Sequence, residues 1–256
     1  MKSLEEIRLR KGKEKIVMLT AYDYQTARIV DEAGVDLILV GDSLGVVIQG
    51  SSDTKSVTMQ DMLYHTRAVA RGAQHTPIVA DLPVNSYSTR EEALANATRL
   101  LEAGAHGVKL EGNRTEVIKA LMTRGIPVIG HLGLLPQVAE TYRVRGKDFN
   151  EAQKIFDDAI QVDELGVLAM VLECIPEALS RRITESVKSL TIGIGAGKYC
   201  DGQVLVINDL LGLSSSVGPK FVKKYADLNK IMAKAIGTFK NEVVNGEYPD
   251  KDHTYH

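Results

Sequence analysis

Short apolar runs along this chain repeatedly end in a polar or ionisable residue. Such runs, without clean alternation of polar and apolar residues, are typical of strands that are buried on both faces of a parallel sheet. The residues at or near their ends are Asp42, Ser43, Asp81, Lys109, Glu111, His131 and Glu173. If the strands close into a barrel, these side chains gather at its carboxyl-end rim, where barrel enzymes carry out their chemistry.

Four of these residues are acids: Asp42, Asp81, Glu111 and Glu173. Converging carboxylates repel one another unless a counter-charge is present. A hard divalent cation that takes oxygen ligands and keeps several waters is the simplest counter-charge, which predicts Mg²⁺. The sequence has neither the HExxH nor the CxxC spacing of a zinc site. Each acid taken alone is better explained as a helix N-cap or a loop charge, so the metal prediction depends on the barrel.

Three of these residues have the chemistry to form and stabilise an enolate. Glu173 lies in an apolar segment and suits a general base, although an acid ahead of Pro176 can also be the N-terminal acid of a helix. Lys109 could stabilise an enolate oxygen or pair with Glu111, two residues further along the same strand. His131 could contact a substrate or, as a loop histidine, bond to the backbone.

The glycine-rich segment 193–197 fits neither a phosphate loop nor a dinucleotide fingerprint. Lys198 and Tyr199 stand where those motifs need glycine, serine or threonine. We interpret the segment as a strand end that lets a substrate approach the backbone closely. Tyr87, Tyr142 and Tyr199 are interpreted as half-buried packing residues.

The elements that must position these side chains alternate along the chain. We expect eight strands, near 16–20, 36–41, 77–81, 107–111, 126–130, 167–172, 191–195 and 203–207. We expect helices over 22–33, 59–72, 89–103, 114–124, 150–164 and 176–188. This alternation predicts an α/β fold, a (β/α)8 TIM barrel. An open doubly wound sheet is the alternative, because periodicity does not reveal strand order. The stretch 43–56 is predicted to be a loop that covers the site.

Composition bounds the class of protein. The chain has 256 residues, of which 44 % are hydrophobic and 25 % charged, and its formal net charge is −2. These values predict a single domain over 1–256, with a polar tail over about 245–256. No basic surplus or long apolar run is present, so we expect neither nucleic acid nor membrane as a partner. The charged start and the two cysteines, Cys174 and Cys200, predict a reduced, cytoplasmic protein.

Eight segments, in order, resemble the ketopantoate hydroxymethyltransferase (3-methyl-2-oxobutanoate hydroxymethyltransferase) family. They are LTAYDY at 19–24, VGDSLG at 40–45, ADLP and SY within 80–87, VKLEG at 108–112, GHLGL and PQ within 130–137, VLECIP at 171–176, IGIGAG at 192–197 and DGQVLV at 201–206. Each is weak alone, but together they cover nearly the whole chain. The sequence departs from the family pattern at Val84, Asn85, Leu135, Lys198 and Tyr199, none of which is a predicted ligand or base.

The resemblance implies an enzyme that moves a hydroxymethyl group from 5,10-methylenetetrahydrofolate to 3-methyl-2-oxobutanoate, giving 2-dehydropantoate for pantothenate and coenzyme A synthesis. It implies that Asp42 and Asp81 hold one Mg²⁺ per subunit, with Glu111 close to the metal or bound through water. Keto-acid contacts would come from Asp42, Ser43, Asp81 and Lys109, and from His131 by its place at the rim. Glu173 would be the base. The assembly usual in the family is a homodecamer, a pentamer of dimers.

Two other functions are compatible with these residues. A Mg²⁺-dependent lyase or decarboxylase of 2-keto acids would share the metal, Lys109 and the base, but would not need folate. A non-catalytic binding protein on the same fold would bind its ligand without metal and tolerate Asp42→Ala. Four rim acids without a catalytic task would be costly to bury, which disfavours the binding protein.

Overall fold

The computed structural model describes residues 3–214 and 218–255. The chain divides into two compact units, Met1–Val206 and Ile207–His256. All predicted site residues belong to the first unit. The extension of one functional domain to residue 256 stays a prediction.

Eight parallel strands close into a barrel, in which β8 pairs back to β1. The strands are β1 Ile16–Thr20, β2 Leu37–Val40, β3 Ile78–Asp81, β4 Gly107–Glu111, β5 Val128–Gly133, β6 Ala169–Glu173, β7 Leu190–Ile194 and β8 Gly202–Leu205. Each predicted strand is present, with bounds that differ by a few residues. The (β/α)8 barrel is therefore confirmed, and the open sheet is wrong because the β1–β8 pairing leaves no free edge.

Helices alternate with these strands. They are α1 Leu4–Arg8, α2 Tyr24–Glu32, α3 Leu44–Val47, α4 Met59–Gly72, α5 Arg90–Glu102, α6 Thr115–Thr123, α7 Phe149–Glu164, α8 Glu177–Ser186, α9 Ile207–Leu210 and α10 Leu228–Asn245. The six predicted helices are confirmed as α2 and α4 to α8. Among the residues described, no helix is both long and apolar enough to cross a bilayer.

Four helices, α1, α3, α9 and α10, were not predicted from the sequence. Three of these helices have only four or five residues, which is too short for a helical period to be recognised. The helix α3 lies inside the predicted loop 43–56, and its Leu44 is buried. The longer α10 carried recognisable signals, since Asp227 caps its first turn and Gly246 ends it at a φ of 73°.

Apolar side chains from the strands fill the barrel. The cluster comprises Ile7, Ile16, Met18, Leu37, Leu39, Val79, Ile129, Leu168, Ala169, Val171, Leu190, Ile192 and Val204. Ile7 comes from α1, and Leu4 of the same helix packs against the cluster near Gly107, the first residue of β4. Thus α1 covers the amino ends of the strands, and the ionisable residues lie at the opposite end.

Candidate active site

The register between neighbouring strands brings the predicted residues together at the carboxyl-end rim. Asp81 lies opposite Lys109 in the β3–β4 pair, and Glu111 lies opposite His131 in the β4–β5 pair. Glu173 ends β6, the next strand along the rim. Residues that are distant in the sequence therefore become neighbours because parallel strands align their ends.

A buried ion pair forms the first half of the site. Asp81 Oδ1 accepts a hydrogen bond from Lys109 Nζ at 2.7 Å, and Asp81 Oδ2 accepts one from the backbone N–H of Asp42 at 3.0 Å. Burial lowers the pKa of Lys109, but the carboxylates of Asp81, Asp42 and Glu111 outweigh it, so the pKa lies above its ordinary value. Lys109 is a cation that pairs across strands with Asp81. The structure gives no ion pair between Lys109 and Glu111.

The surroundings of Asp42 disfavour its charged form. Its pKa is raised to about 8, chiefly because burial disfavours the charged form, and then because Asp81 carries like charge. Lys109 acts in the opposite direction, but does not compensate. An additional positive charge beside Asp42 and Asp81 would therefore be favourable.

An amide group holds Asp42 and Glu111. Gln137 Nε2 donates hydrogen bonds to Asp42 Oδ2 at 2.7 Å and to the carbonyl oxygen of Leu82 at 3.0 Å. The backbone N–H of Gln137 donates to Glu111 Oε2 at 3.1 Å. The Tyr87 hydroxyl donates to Gln137 Oε1. The loop that follows β5 is thus tied directly to two strand-end acids.

His131 lies between two carboxylates. Its Nδ1 is 3.4 Å from Glu111 Oε1, and its Nε2 is 3.1 Å from Glu173 Oε2. These distances fit ion pairs, although the angles fall outside hydrogen-bond geometry. Burial lowers the pKa of His131, but the two glutamates raise it further, to about 9. The imidazole is therefore cationic at neutral pH, and His131 is not a loop histidine bonded to backbone.

Of the two acids beside His131, Glu173 has the side chain that is more exposed to solvent. Its side chain is 16 % exposed, against 3 % for Glu111. The backbone turns sharply directly after it, because Cys174 has a φ of 49°. Gly133 on β5 permits the close approach of this turn, since a Cβ there would lie 2.3 Å from the Glu173 carbonyl oxygen. A strained backbone next to an accessible acid is typical of functional sites.

Ser43 and two loops complete the rim. The Ser43 hydroxyl lies 2.8 Å from the hydroxyl of buried Tyr22. Lys55 Nζ donates to the carbonyl oxygen of Ala139 at 3.0 Å, which joins the stretch 43–56 to the loop after β5. The pKa of Tyr142 in that loop is raised, by burial and then by Asp53. The two loops therefore contact each other on the site's side of the barrel.

The charges of the site are compatible with a divalent cation. Four carboxylates, of Asp42, Asp81, Glu111 and Glu173, face two cationic side chains, of Lys109 and His131. Across residues 3–214 and 218–255, no three His, Cys, Asp or Glu side chains are grouped to hold a metal by themselves. Mg²⁺ commonly binds through one or two carboxylates, with water and substrate oxygens completing its shell. The neighbouring acids Asp42 and Asp81 fit that requirement.

The structure brings all seven predicted residues to one rim. Gln137 is not among the residues predicted from the sequence, and Tyr87 was predicted only as a packing residue. Tyr87 is buried, but its hydroxyl belongs to the polar network through Gln137. Both residues lie within segments that carry the family resemblance, which was the available signal. Nothing in their local pattern distinguishes them from ordinary loop residues.

Comparisons with known proteins agree on one family. Residues 2–251 match a model of the family described as ketopantoate hydroxymethyltransferase. A protein of Syntrophus aciditrophicus named 3-methyl-2-oxobutanoate hydroxymethyltransferase is 52 % identical, over 96 % of this chain and 93 % of the relative. One of the same name from Clostridium novyi is 51 % identical, over 94 % of this chain and 90 % of the relative.

Solved structures with distant sequences have the same fold. A 2,3-dimethylmalate lyase, a member of the PEP mutase/isocitrate lyase superfamily, aligns with a TM-score of 0.64 at 16 % identity, over 99 % of this chain and 92 % of its own. Phosphonopyruvate hydrolase, in complex with oxalate and Mg²⁺, aligns with a TM-score of 0.65 at 12 % identity, over 99 % of this chain and 93 % of its own. At these identities the likeness concerns the fold alone.

Proposed function

Because the chain belongs to the ketopantoate hydroxymethyltransferase family, we propose that it transfers a hydroxymethyl group from 5,10-methylenetetrahydrofolate to 3-methyl-2-oxobutanoate. The product would be 2-dehydropantoate, a precursor of pantothenate. The observation that carries the proposal is the continuous rim of strand-end charges, in which the accessible acid Glu173 lies 3.1 Å from the cation His131. Such a rim suits enolisation of a small acid.

Mg²⁺ would be held by Asp42 and Asp81, with Glu111 close to the metal or bound through water. The raised pKa of Asp42 supports this assignment, because its first causes are burial and the like charge of Asp81. When bound, the cation would supply Lewis acidity that polarises the 2-oxo group and acidifies the hydrogen on C3. The same fold carries oxalate with Mg²⁺ in phosphonopyruvate hydrolase.

Binding of the keto acid would use the cations and hydroxyls of the rim. The ammonium group of Lys109, already paired with Asp81 at 2.7 Å, would attract the substrate's oxygens and stabilise negative charge that develops on the 2-oxo oxygen. Ser43, with its hydroxyl oriented by Tyr22, would donate a hydrogen bond to the same small acid. His131 would contribute positive charge and orient Glu173.

Glu173 would act as the general base. Its carboxylate would take the proton from C3, and the C–H electron pair would form the enolate double bond between C2 and C3. C3 would then form a carbon–carbon bond with the methylene carbon of the folate, whose two C–N bonds break. One C–N bond opens to the iminium before the attack, and the oxygen of water replaces the other. Tetrahydrofolate leaves with the C3 proton and one proton of the water on its two nitrogens. One water is consumed per turnover, because the folate carries a CH₂ unit without oxygen and the product carries CH₂OH. The loop 43–56 would cover the reacting enolate, which its contact through Lys55 supports.

The test is a product assay by proton NMR. Purified protein would be mixed with 3-methyl-2-oxobutanoate, Mg²⁺ and 5,10-methylenetetrahydrofolate, and parallel samples would contain EDTA or lack the folate. We expect 2-dehydropantoate only in the complete mixture. Metal-dependent exchange of the C3 hydrogen with deuterium, without product, would contradict the folate donor and favour the lyase or decarboxylase. Neither reaction in folded protein would overturn the enzyme proposal.

We also propose a cytoplasmic homo-oligomer, a pentamer of dimers. Support for self-association comes from α10, because the unit Ile207–His256 to which it belongs leaves its Ile231, Ile236 and Phe239 unburied. Exposed apolar side chains on one helix are typical of association surfaces. The two cysteines are free thiols, which agrees with a reducing compartment. Light scattering on the purified chain tests the assembly, and a monomer at micromolar concentration would contradict it.

A further inference from the structure

Gln137 is a buried amide that no proposed step uses. It is 3 % exposed, and it lies in the loop between β5 and α7. Its side chain and backbone bond to residues on three other parts of the rim: Asp42 after β2, Leu82 after β3 and Glu111 at the end of β4. A buried polar side chain with every group bonded is usually retained for the geometry that it imposes.

The surroundings of the amide fix its orientation. The Nε2 group faces two acceptors, the carboxylate of Asp42 at 2.7 Å and the carbonyl of Leu82 at 3.0 Å. On the other side, Tyr87 donates its hydroxyl to Oε1. A reversed amide would place Oε1 against both acceptors and lose two hydrogen bonds, one of them to a charged group. The two acceptors therefore select the orientation in which Gln137 donates to Asp42, and the Tyr87 hydroxyl supports that orientation as the donor to Oε1.

Gln137 forms a hydrogen bond with one carboxylate oxygen of each of two acids, and it does not contact the second oxygen of either acid. It binds Asp42 through Oδ2 and Glu111 through Oε2. In the part of the chain that the structure describes, no hydrogen bond to Asp42 Oδ1 is found, while Glu111 Oε1 faces His131 at 3.4 Å. The two carboxylates are thus held at a fixed separation, each with an oxygen directed away from the amide.

We propose that Gln137 is a positioning residue that sets Asp42 and Glu111 relative to each other for the divalent cation and the keto acid, with Tyr87 locking its amide. The inference rests on the proposed function, because it assigns Asp42 and Glu111 to the metal. Partners that orient metal ligands typically contribute about 10- to 100-fold to metal affinity or activity.

The experiment measures the dissociation constant of Mg²⁺ by calorimetry in the full-length protein. Variants would be Gln137→Ala and Tyr87→Phe, with Gln153→Ala as the matched control, since Gln153 bonds to the exposed residues Asp157 on α7 and Arg182 on α8. We expect the Mg²⁺ dissociation constant to rise about 10- to 100-fold in Gln137→Ala, to rise less in Tyr87→Phe, and to stay unchanged in Gln153→Ala. Raising Mg²⁺ should restore part of the C3 deuterium exchange in both variants.

The outcomes separate this inference from the proposed function. An unchanged Mg²⁺ dissociation constant in folded Gln137→Ala, checked by circular dichroism, overturns the positioning role. If Gln137→Ala does not fold, Tyr87→Phe decides, and wild-type Mg²⁺ affinity in that variant overturns the role. Wild-type protein that binds Mg²⁺ but forms no product overturns the proposed function. In that case the Mg²⁺ dissociation constants of the variants still decide whether Gln137 positions Asp42 and Glu111. Wild-type protein that does not bind Mg²⁺ overturns the inference itself.

Discussion

The two ends of the barrel place carboxylates in opposite surroundings. At the amino ends of the strands, Asp31 accepts hydrogen bonds from the backbone N–H groups of Gln74, His75 and Thr76, at 2.9, 3.1 and 2.7 Å. These donors lie in the segment that leads into β3. At the carboxyl ends, Asp42 accepts a side-chain hydrogen bond from Gln137 and faces another acid, Asp81.

The pKa values follow this difference. Burial raises the pKa of Asp31, but hydrogen bonds from Gln74 and Thr76 lower it more, so it lies below its ordinary value. Asp163, near the end of α7, follows the same pattern through Ser189 and Lys188. The pKa of Asp42 moves the other way, to about 8, through burial and Asp81.

The comparison separates acids that stabilise the fold from acids that are available for a ligand. A carboxylate surrounded by backbone donors is fully satisfied and stabilises the loop it binds. A carboxylate next to another carboxylate destabilises the folded chain until a cation or substrate arrives. In this architecture, residues at the amino ends of the strands usually stabilise the fold, and residues at the carboxyl ends usually carry out the chemistry.

Glu173→Gln gives the largest expected effect at the carboxyl-end rim. Turnover should fall about 10²- to 10⁴-fold, because a general base contributes that much, while the affinity for the keto acid should change only a few-fold. Product formation and C3 deuterium exchange by NMR measure turnover, and calorimetry measures binding. Glu185→Gln, at an exposed position on α8, is the control. Equal losses in turnover and affinity would mean that Glu173 has a structural role.

Asp42→Asn sharpens the comparison between the two ends of the barrel, since it should lower turnover and raise the melting temperature of the metal-free protein. Turnover should fall about 100-fold, because the variant lacks a charge that holds the cation. The melting temperature without metal should rise, because the neutral amide needs neither a buried charge beside Asp81 nor the proton uptake of a carboxyl whose pKa is raised to about 8. Metal-free thermal unfolding and the NMR assay measure the two effects. A lower melting temperature would show that the Asp42 carboxylate stabilises the fold.

Asp31→Ala should show the reverse behaviour at the amino end. The free energy of unfolding should fall by about 3 kcal/mol, because backbone donors lose a charged acceptor in a buried setting. Turnover at 25 °C should stay at the wild-type level. Urea unfolding measures the loss, and Glu32→Ala, at an exposed position on the same helix, should change the free energy little. Reduced turnover in the folded variant would break the division between the two ends.

The smallest effect expected is a pH dependence that belongs to the amino-end acids. The pKa values of Asp31 and Asp163 are lower in the folded chain than in the unfolded chain. Their contribution is therefore complete above the unfolded pKa of about 3.9 and is lost as pH falls through the folded values. Urea midpoints at a series of acid pH values should fall less steeply in Asp31→Asn than in the wild type. If the urea midpoints of Asp31→Asn and the wild type fall with the same slope, Asp31 is not the origin of the stability lost at acid pH.

The fold was predictable because its signals are local. Apolar runs of four to six residues define most of the strands, and a glycine precedes β2, β4, β5 and β6 by a few residues. An ionisable residue lies at or just after the end of β2, β3, β4 and β6. The rim acids followed from that pattern alone. What the sequence could not reveal is which residues pair, because Lys109 bonds to Asp81 through the register between β3 and β4. Local spacing favours Glu111 equally well.

Gln137 could not be predicted for a related reason. It carries no charge, it lies in a loop without periodicity, and its partners Asp42 and Glu111 are 95 and 26 residues away in the chain. The amide acquires its role only where two strand ends and one loop meet. The helix α10 differs, because its cap residues and apolar period lie in the sequence and a longer window would have found it.

The spacing of the rim acids along the chain has a consequence for how the protein is made. Asp42 and Asp81 are 39 residues apart, and Gln137 is 95 residues from Asp42. In a nascent chain these carboxylates are hydrated and far from one another, so their repulsion does not oppose the early steps of synthesis. Glu173 joins them only when β6 pairs with β5. A chain that ends before residue 173 therefore lacks the proposed base, and the rim of charges is complete only after six of the eight strands have been made.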